Sequence, residues 1–480
     1  MSTTVTVKKT VPQLSPRVEE LLKLEEEYSA GGIFPLPACI KSGNGSTLED
    51  VDGRKILDFI CMLSATNLGQ CHPKIVAAMH ESMQQITLAN IATKVADWPE
   101  FCKEMCQRFG YDKMVGVVSG SEGTDAAIKF ARKWGIKVKG IMPSEGLVLG
   151  VSDNYHGVSS GVWPIMNDMG QKTGMFTLNP LHTPYHCKRS ARRYQKQGLT
   201  PHGEDYGIAN PNLRNTHPDT GELLRYGSVE DFEEVLAVHH HRVAAVIMEC
   251  IHGKKPTFEE ELQFTIGVRK LCKKYNILFI ADEVRMGCGK TGKFLCSDWM
   301  GPENKPDMVV MGKSITAGTY PASYILGTAE VMNLIGVYES VATFGMAPHA
   351  IAATRAFLNI MDSEKLVERA LWIDTVWKEE TKSWKFPSLD YVTNRGADMG
   401  IFLSETADGR ITGRKFGMLC YHKGLLCYPD GERIRLGVAL NITEQDLRKG
   451  IAILKEALEE IGDYDDILTG PPMRGTRPDM

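Results

Sequence analysis

Four short apolar runs set the strongest limit on what this chain can fold into. They are Leu147-Val148-Leu149 within Gly146–Val151, Val243-Ala244-Ala245-Val246-Ile247-Met248, Leu278-Phe279-Ile280-Ala281 and Met308-Val309-Val310-Met311. Each is apolar at every position, so each reads as a strand buried on both faces. Such strands belong to parallel sheets covered by helices on either side. The stretches between them supply helices, Glu261 to Tyr275 among them. The pattern predicts an α/β fold with a mostly parallel sheet in a large domain. Two of the runs end in ionisable residues: Asp282-Glu283 follow one, and Gly312-Lys313-Ser314 follow another. In open α/β sheets, ligands sit outside the carboxyl ends of the strands. The chain therefore delivers a carboxylate and an amine to the edge where a ligand is expected.

A third part lies upstream. Met114-Val115-Gly116-Val117-Val118 reads as a strand, Ser119-Gly120-Ser121 as a tight turn, and Thr124 to Lys133 as a helix with Ala127, Ile128 and Ala131 on one face. Glycine lets the backbone approach a ligand closely, and a helix start offers free N–H groups and a positive dipole end. That is a phosphate seat, although a plain strand–turn–helix connection has the same outline. Taken singly, Asp282 reads better as an ordinary helix cap and Lys313 as a solvated loop lysine. Jointly, an amine, a carboxylate and a phosphate seat suit pyridoxal phosphate, which carries an aldehyde, a pyridine nitrogen and a phosphate. Tyr155, with His156 beside it in Asp153-Asn154-Tyr155-His156-Gly157, would cover one face of the ring and Val284 the other. A nicotinamide site is a weaker reading, because Gly287-Cys288-Gly289 opens no helix after a strand.

The rest of the chain bounds the function. With 480 residues, it is long enough for two or three domains. A net charge of −4 gives no basic footprint for nucleic acid. No apolar run nears the roughly 18 residues of a membrane span, so no membrane association is expected. The twelve cysteines have no CxxC spacing, which argues against zinc or a disulfide framework. A reducing, cytoplasmic setting is the simpler expectation; a mitochondrial address stays open. We divide the chain into residues 1–75, 76–345 and 346–480. The first and last form a smaller α+β domain from both chain ends, around the large cofactor-binding domain. Ser15-Pro16 opens a first helix, and Asp52-Gly53 marks a hairpin. Asn179 to Arg225 reads as a long polar insertion carrying the basic cluster Lys188-Arg189-Ser190-Ala191-Arg192-Arg193.

Several stretches carry a more specific likeness. They are Leu57-Asp58-Phe59, Ser64-Ala65-Thr66-Asn67-Leu68-Gly69-Gln70-Cys71-His72-Pro73, Lys129-Phe130-Ala131-Arg132-Lys133-Trp134, Phe279-Ile280-Ala281-Asp282-Glu283-Val284, Lys290-Thr291-Gly292-Lys293 and Met311-Gly312-Lys313 with Tyr320-Pro321-Ala322-Ser323. From about residue 27 to 462 the chain resembles the class III aminotransferases, pyridoxal-phosphate enzymes of fold type I, and ornithine aminotransferases most of all. The resemblance implies that Lys313 forms the Schiff base and shuttles the Cα proton, and that Asp282 holds the pyridine nitrogen. Gly120 and Ser121 would bind phosphate. Thr343 would reach the phosphate of a partner subunit, implying a homodimer with shared active sites. Arg435 would bind a substrate carboxylate, its flat fork suited to bidentate contact. Glu249 would pair with Arg435 between half-reactions, letting one pocket take two small-molecule substrates.

The departures from that family cluster where substrate is chosen. Leu63 stands where ornithine aminotransferases have a tyrosine, and Lys94 falls near a second one. Val158 replaces an expected arginine, Lys254 an expected glutamate, and Arg285 the glutamine after Asp-Glu-Val, which would lie near the ring hydroxyl. The expectation is an aminotransferase that does not use ornithine. Its more cationic pocket, built from Lys94, Lys254 and Arg285, would favour an anionic amino substrate. The altered positions leave elimination, replacement or decarboxylation on the same scaffold as an alternative. A degenerate, non-catalytic homologue is a third reading, against which Lys313, Asp282, Thr343 and Arg435 all count.

Overall fold

The computed structural model describes residues 9–30, 36–89, 92–166, 212–404, 411–431 and 433–464. The basic cluster from Lys188 to Arg193 lies outside the described residues, as does most of the 179–225 stretch. Fifteen strands form three sheets among the described residues. Near the start, β1 (Ile40–Asn44), β2 (Thr47–Asp50) and β3 (Lys55–Asp58) form an antiparallel meander. Gly53, at φ 82° in the β2–β3 turn, donates its N–H to the Asp50 carbonyl.

The central sheet follows. Its strands are β4 (Lys113–Val117), β5 (Leu147–Leu149), β6 (Leu213–Arg214), β7 (Val243–Met248), β8 (Leu278–Asp282), β9 (Met308–Met311) and β10 (Ser323–Gly327). In space they run β4-β10-β9-β8-β7-β5-β6. Only β10 is antiparallel to its neighbours. The remaining six point the same way, so their carboxyl ends share one edge.

Every residue of β7, β8 and β9 is buried, and the alternation of side chains explains why none is polar before the strand ends. Val246, Met248, Phe279, Ala281, Val309 and Met311 join one core cluster with Phe264 and Val268 of the helix Phe258–Lys274. Ala245, Ile247, Ile280, Met308 and Val310 join another with Ala127, Phe130 and Trp134 of the helix Gly120–Lys137. Each fully buried branched residue of this kind contributes about 1.5–3 kcal/mol of transfer free energy. A single charge inside these strands would oppose two packed layers at once.

The sequence reading of 179–225 as one polar excursion is corrected at its end. Leu213 is 1% exposed and pairs with Val148, so the stretch closes as the edge strand of the central sheet.

The C-terminal strands are β11 (Leu389–Arg395), β12 (Asp398–Leu403), β13 (Leu425–Leu426), β14 (Tyr428–Asp430) and β15 (Arg433–Gly437). Four of them form an antiparallel sheet in the order β11-β12-β15-β14. The short β13 instead pairs in parallel with β3, tying the end of the chain to its beginning. In this sheet Gly400 faces Arg435 and Asp398 faces Gly437. Asp398, at the start of β12, meets Arg285, which follows β8, at 2.9 Å.

Candidate active site

Lys313 and Asp282 follow from the parallel register of β8 and β9, in which Asp282 pairs with Val310. One residue past β9, the backbone swings from an extended Gly312 into the left-handed region at Lys313, at φ 46°. The first turn after the strand is fixed by Ser314, whose hydroxyl donates to the Ser64 carbonyl. Ser323 on β10 donates to the Met311 carbonyl at 2.6 Å. Lys313 itself is partly buried. Burial, reinforced by the positive charges of Arg285 and Arg435, pushes its amine down to about 8, against the opposing pull of Glu249 and Asp282. Such an amine is neutral often enough near neutral pH to act as a nucleophile or proton carrier.

Asp282 is 4% exposed. One carboxylate oxygen accepts the Val284 amide at 3.0 Å, and the other lies 2.7 Å from His156 Nδ1. The His156 ring is buried and its Nε2 finds no partner among the described residues. Glu283, the second acid of the pair, has a different task. Its oxygens accept the amides of Cys296 and Ser297, both at 2.7 Å, and burial pushes its carboxyl up to about 7.

The helix start lies directly on these strand ends. Ser119 caps it by accepting the Glu122 amide at 3.2 Å, while the Gly120 and Ser121 amides are not engaged by described residues. A methyl group at Gly120 would come within 2.7 Å of Val284 Cγ1, so only glycine permits this approach. Gly157 sits at φ 111°, where a side chain would collide with the Ser121 hydroxyl. The Ser121 hydroxyl contacts Ser159 Oγ at 3.2 Å.

Pyridoxal phosphate fits this donor set. Unengaged amides at a helix start suit a phosphate, Lys313 supplies an amine with a lowered pKa, and Asp282 supplies a buried carboxylate steadied by His156. Val284 packs against Gly120 on the same edge. Tyr155 follows β5; its amide donates to Glu249 at 3.1 Å and its ring is 45% exposed.

The second half of the site differs from expectation. Glu249, just past β7, is paired not with Arg435 but with Arg285, whose Nε is 3.2 Å away, and with His252, whose Nε2 is also at 3.2 Å. Burial alone would raise the Glu249 carboxyl, but His252 and Arg285 hold it well below the usual range. Burial also pushes His252 down to about 4. The His252 Nε2–H donates to Glu249.

Arg285 is no free cation of a substrate pocket. Its remaining nitrogens donate to Asp398 at 2.9 Å and to the His252 carbonyl at 2.7 Å. Lys254 is likewise neutralised, by Asp153 at 2.6 Å. Lys94 is exposed. Of the cations expected in the pocket, Arg285 and Lys254 are thus paired with buried or partly buried acids. Arg435 also faces this region, with Asp430 at 3.9 Å. A cleft lined by Leu63, Ser64, Arg285, Asp398, Tyr428 and Arg435 opens there. Val158 and Thr343 are exposed and do not line it.

Sequence reading missed His252, Asp398, Tyr428 and Arg433. Asp398 begins a strand and His252 follows one by a few residues, but neither position carries a motif. The turn that carries Leu63 was missed as well. Cys61, Met62, Leu63 and Ser64 have φ of 52°, 45°, 55° and 69°, four left-handed residues in a row without a glycine. Asp58 holds the turn by accepting the amides of Ile60 and Cys61 at 3.0 and 2.8 Å. Backbone held in this region is costly and collects at functional sites.

Comparison with known proteins gives a consistent result. The family description "Aminotransferase class-III" matches residues 28–458. An ornithine aminotransferase of Schizosaccharomyces pombe is 32% identical over 448 residues, covering 93% of this chain and 95% of that protein. One from Emericella nidulans is 30% identical over 459 residues, covering 95% and 94%. Among solved structures, the acetylornithine aminotransferase of Elizabethkingia anophelis superposes with a TM-score of 0.75 at 29% identity, covering 92% of this chain and 99% of that one. The ornithine aminotransferase of Toxoplasma gondii reaches a TM-score of 0.76 at 25% identity, covering 94% and 97%.

Proposed function

This chain belongs to the class III aminotransferases, a family of pyridoxal-phosphate enzymes, and from that premise we propose that it moves an amino group from an amino acid other than ornithine to a keto acid. The observation that carries the reading is the meeting of Lys313, Asp282 and the Gly120–Ser121 helix start on one sheet edge. Bound there, pyridoxal phosphate supplies an aldehyde that condenses with amines and a ring that withdraws electrons from the substrate's Cα.

The chain's own residues do the rest. Lys313 takes the proton from Cα and returns it to complete the transfer, and its lowered pKa matches that task. Asp282 would hold a proton on the ring nitrogen, with His156 fixing its orientation. The amides of Gly120 and Ser121 anchor the phosphate, and Tyr155 covers the ring. Arg435 binds the α-carboxylate of the donor and orients its Cα.

The named relatives point to ornithine. Against that stand Leu63, Val158 and Lys254, which differ from the pattern of ornithine aminotransferases, and the engagement of Lys254 with Asp153. A homodimer forms part of the proposal. Val337, Tyr338 and Phe344 are 85%, 83% and 48% exposed beside Thr343, an apolar surface that a second copy would cover.

The test is a half-reaction. Each of a panel of amino acids, ornithine included, is added to the holoenzyme without acceptor, and pyridoxamine phosphate is measured. The proposal expects at least one α-amino acid to convert the cofactor faster than ornithine, and a keto acid to restore it. Ammonia released without pyridoxamine phosphate would overturn transamination; ornithine as the fastest donor would overturn the substrate assignment.

A further inference from the structure

Arg285 and Glu249 form a closed set of contacts beside Arg435. Arg285 is 8% exposed and Glu249 2% exposed. The guanidinium spends Nε on Glu249 at 3.2 Å, Nη1 on Asp398 at 2.9 Å and Nη2 on the His252 carbonyl at 2.7 Å. Glu249 in turn is held from three directions: by Arg285, by His252 Nε2 at 3.2 Å and by the Tyr155 amide at 3.1 Å. These partners come from the ends of β5, β7 and β8 and from the start of β12. For Glu249 to leave them, Arg285 would lose one of its two acids while still buried, a state strongly disfavoured in a low-dielectric interior. Arg435 meanwhile shares the cleft with Arg285, and its own acid, Asp430, is distant at 3.9 Å and 43% exposed.

We infer that Arg285 is a specificity-determining positioning residue: it locks Glu249 away from Arg435, so the Arg435 charge in the cleft is balanced by no acid closer than Asp430 at 3.9 Å in both half-reactions. An amine entering without a carboxylate next to its nitrogen would desolvate that guanidinium and leave it only the long contact to Asp430. An α-amino acid or α-keto acid pairs with it. The substrate class is therefore an α-amino acid in one direction and an α-keto acid in the other. Terminal amines, including the far amine of a diamino acid, are rejected. The inference rests on the transamination reading above and narrows it.

The experiment compares kcat/KM of the half-reaction for glutamate or alanine with that for 4-aminobutanoate, in wild-type holoenzyme, in Arg285→Gln and in Arg285→Gln/Glu249→Gln. Because each ratio is taken within one protein, losses of folding or cofactor loading cancel. The wild type is expected to prefer the α-amino acid by at least a hundredfold. Arg285→Gln is expected to lower that ratio tenfold or more, since a released Glu249 can cover Arg435. The double variant, which has no acid to release, is expected to restore it. An unchanged ratio in Arg285→Gln overturns the inference. So does a wild type that uses 4-aminobutanoate as readily as alanine, and that outcome leaves transamination standing. If Arg285→Gln does not fold, the wild-type ratio alone decides. A wild type that converts no donor at all overturns transamination and the inference together.

Discussion

His156 Nδ1 lies 2.7 Å from Asp282 Oδ2, with both side chains buried. The pair joins the loop after β5 to the end of β8. It fixes the carboxylate that, in the proposed function, would face a ring nitrogen. A charge-assisted hydrogen bond of this kind contributes about 1.5–3 kcal/mol. His156→Ala should therefore weaken pyridoxal-phosphate binding about 10- to 100-fold in an absorbance titration of the apoprotein. Binding within threefold of wild type would remove His156 from the site.

Asp282→Asn keeps shape and removes charge. The half-reaction rate should fall by about a hundredfold or more, the scale seen when a preorganised electrostatic group is lost, while the protein still binds cofactor. Stopped-flow absorbance with a saturating donor separates the two effects. A rate close to wild type would mean that Asp282 is structural.

Lys313 gives a pH prediction whose sign is fixed by its lowered pKa. In the folded apoprotein the amine loses its proton near 8, against 10.5 for the ordinary group. Between those values the unfolded chain binds the extra proton, so this group's contribution to stability rises with pH there. Below 8 its burial is a net cost. Lys313→Met should stabilise the apoprotein at pH 7 by about 2 kcal/mol, one pKa unit being about 1.4 kcal/mol and partial exposure reducing the total. The gain should shrink as pH rises through 8 toward 10.5. Urea denaturation at pH 7, 9 and 10.5 checks this. A gain independent of pH would point to packing and not to the charge.

Asp398 neutralises Arg285 and lies 3.9 Å from Arg433. Asp398→Ala would leave the buried Arg285 with Glu249 as its one remaining acid and take from Arg433 the acid it faces at 3.9 Å, and removal of one member of a buried pair costs about 3–5 kcal/mol. The urea midpoint should fall accordingly. Asp398→Ala/Arg285→Met should recover part of the loss; no recovery would show that the two residues do not act on each other.

What the sequence made legible follows from where physical information is local. The strands β7, β8 and β9 were readable because two-sided burial forbids polar residues along them, and Asp282 and Lys313 were readable as the first ionisable groups past their ends. The helix start at Gly120 followed from its strand–turn–helix outline. The Arg285 cluster was not readable in the same way. Its contacts join residues 36 and 113 positions apart, and no periodicity predicts which acid a buried arginine will meet. The pairing of Arg285 with Glu249 and Asp398, and of Lys254 with Asp153, was therefore not anticipated. The left-handed turn at Cys61–Ser64 was hidden for a different reason. Its residues are not the glycines that usually announce such backbone, and Asp58 together with Ser314 holds it in place.

The central claim is that Lys313 carries the cofactor on the carboxyl edge of the central sheet. Borohydride reduction of the holoenzyme, followed by proteolysis and mass spectrometry, tests it most directly. A stable pyridoxyl group is expected on Lys313 alone, absent after Lys313→Ala. A pyridoxyl group on another lysine, the buried Lys290 for example, or no modified lysine at all, would contradict it.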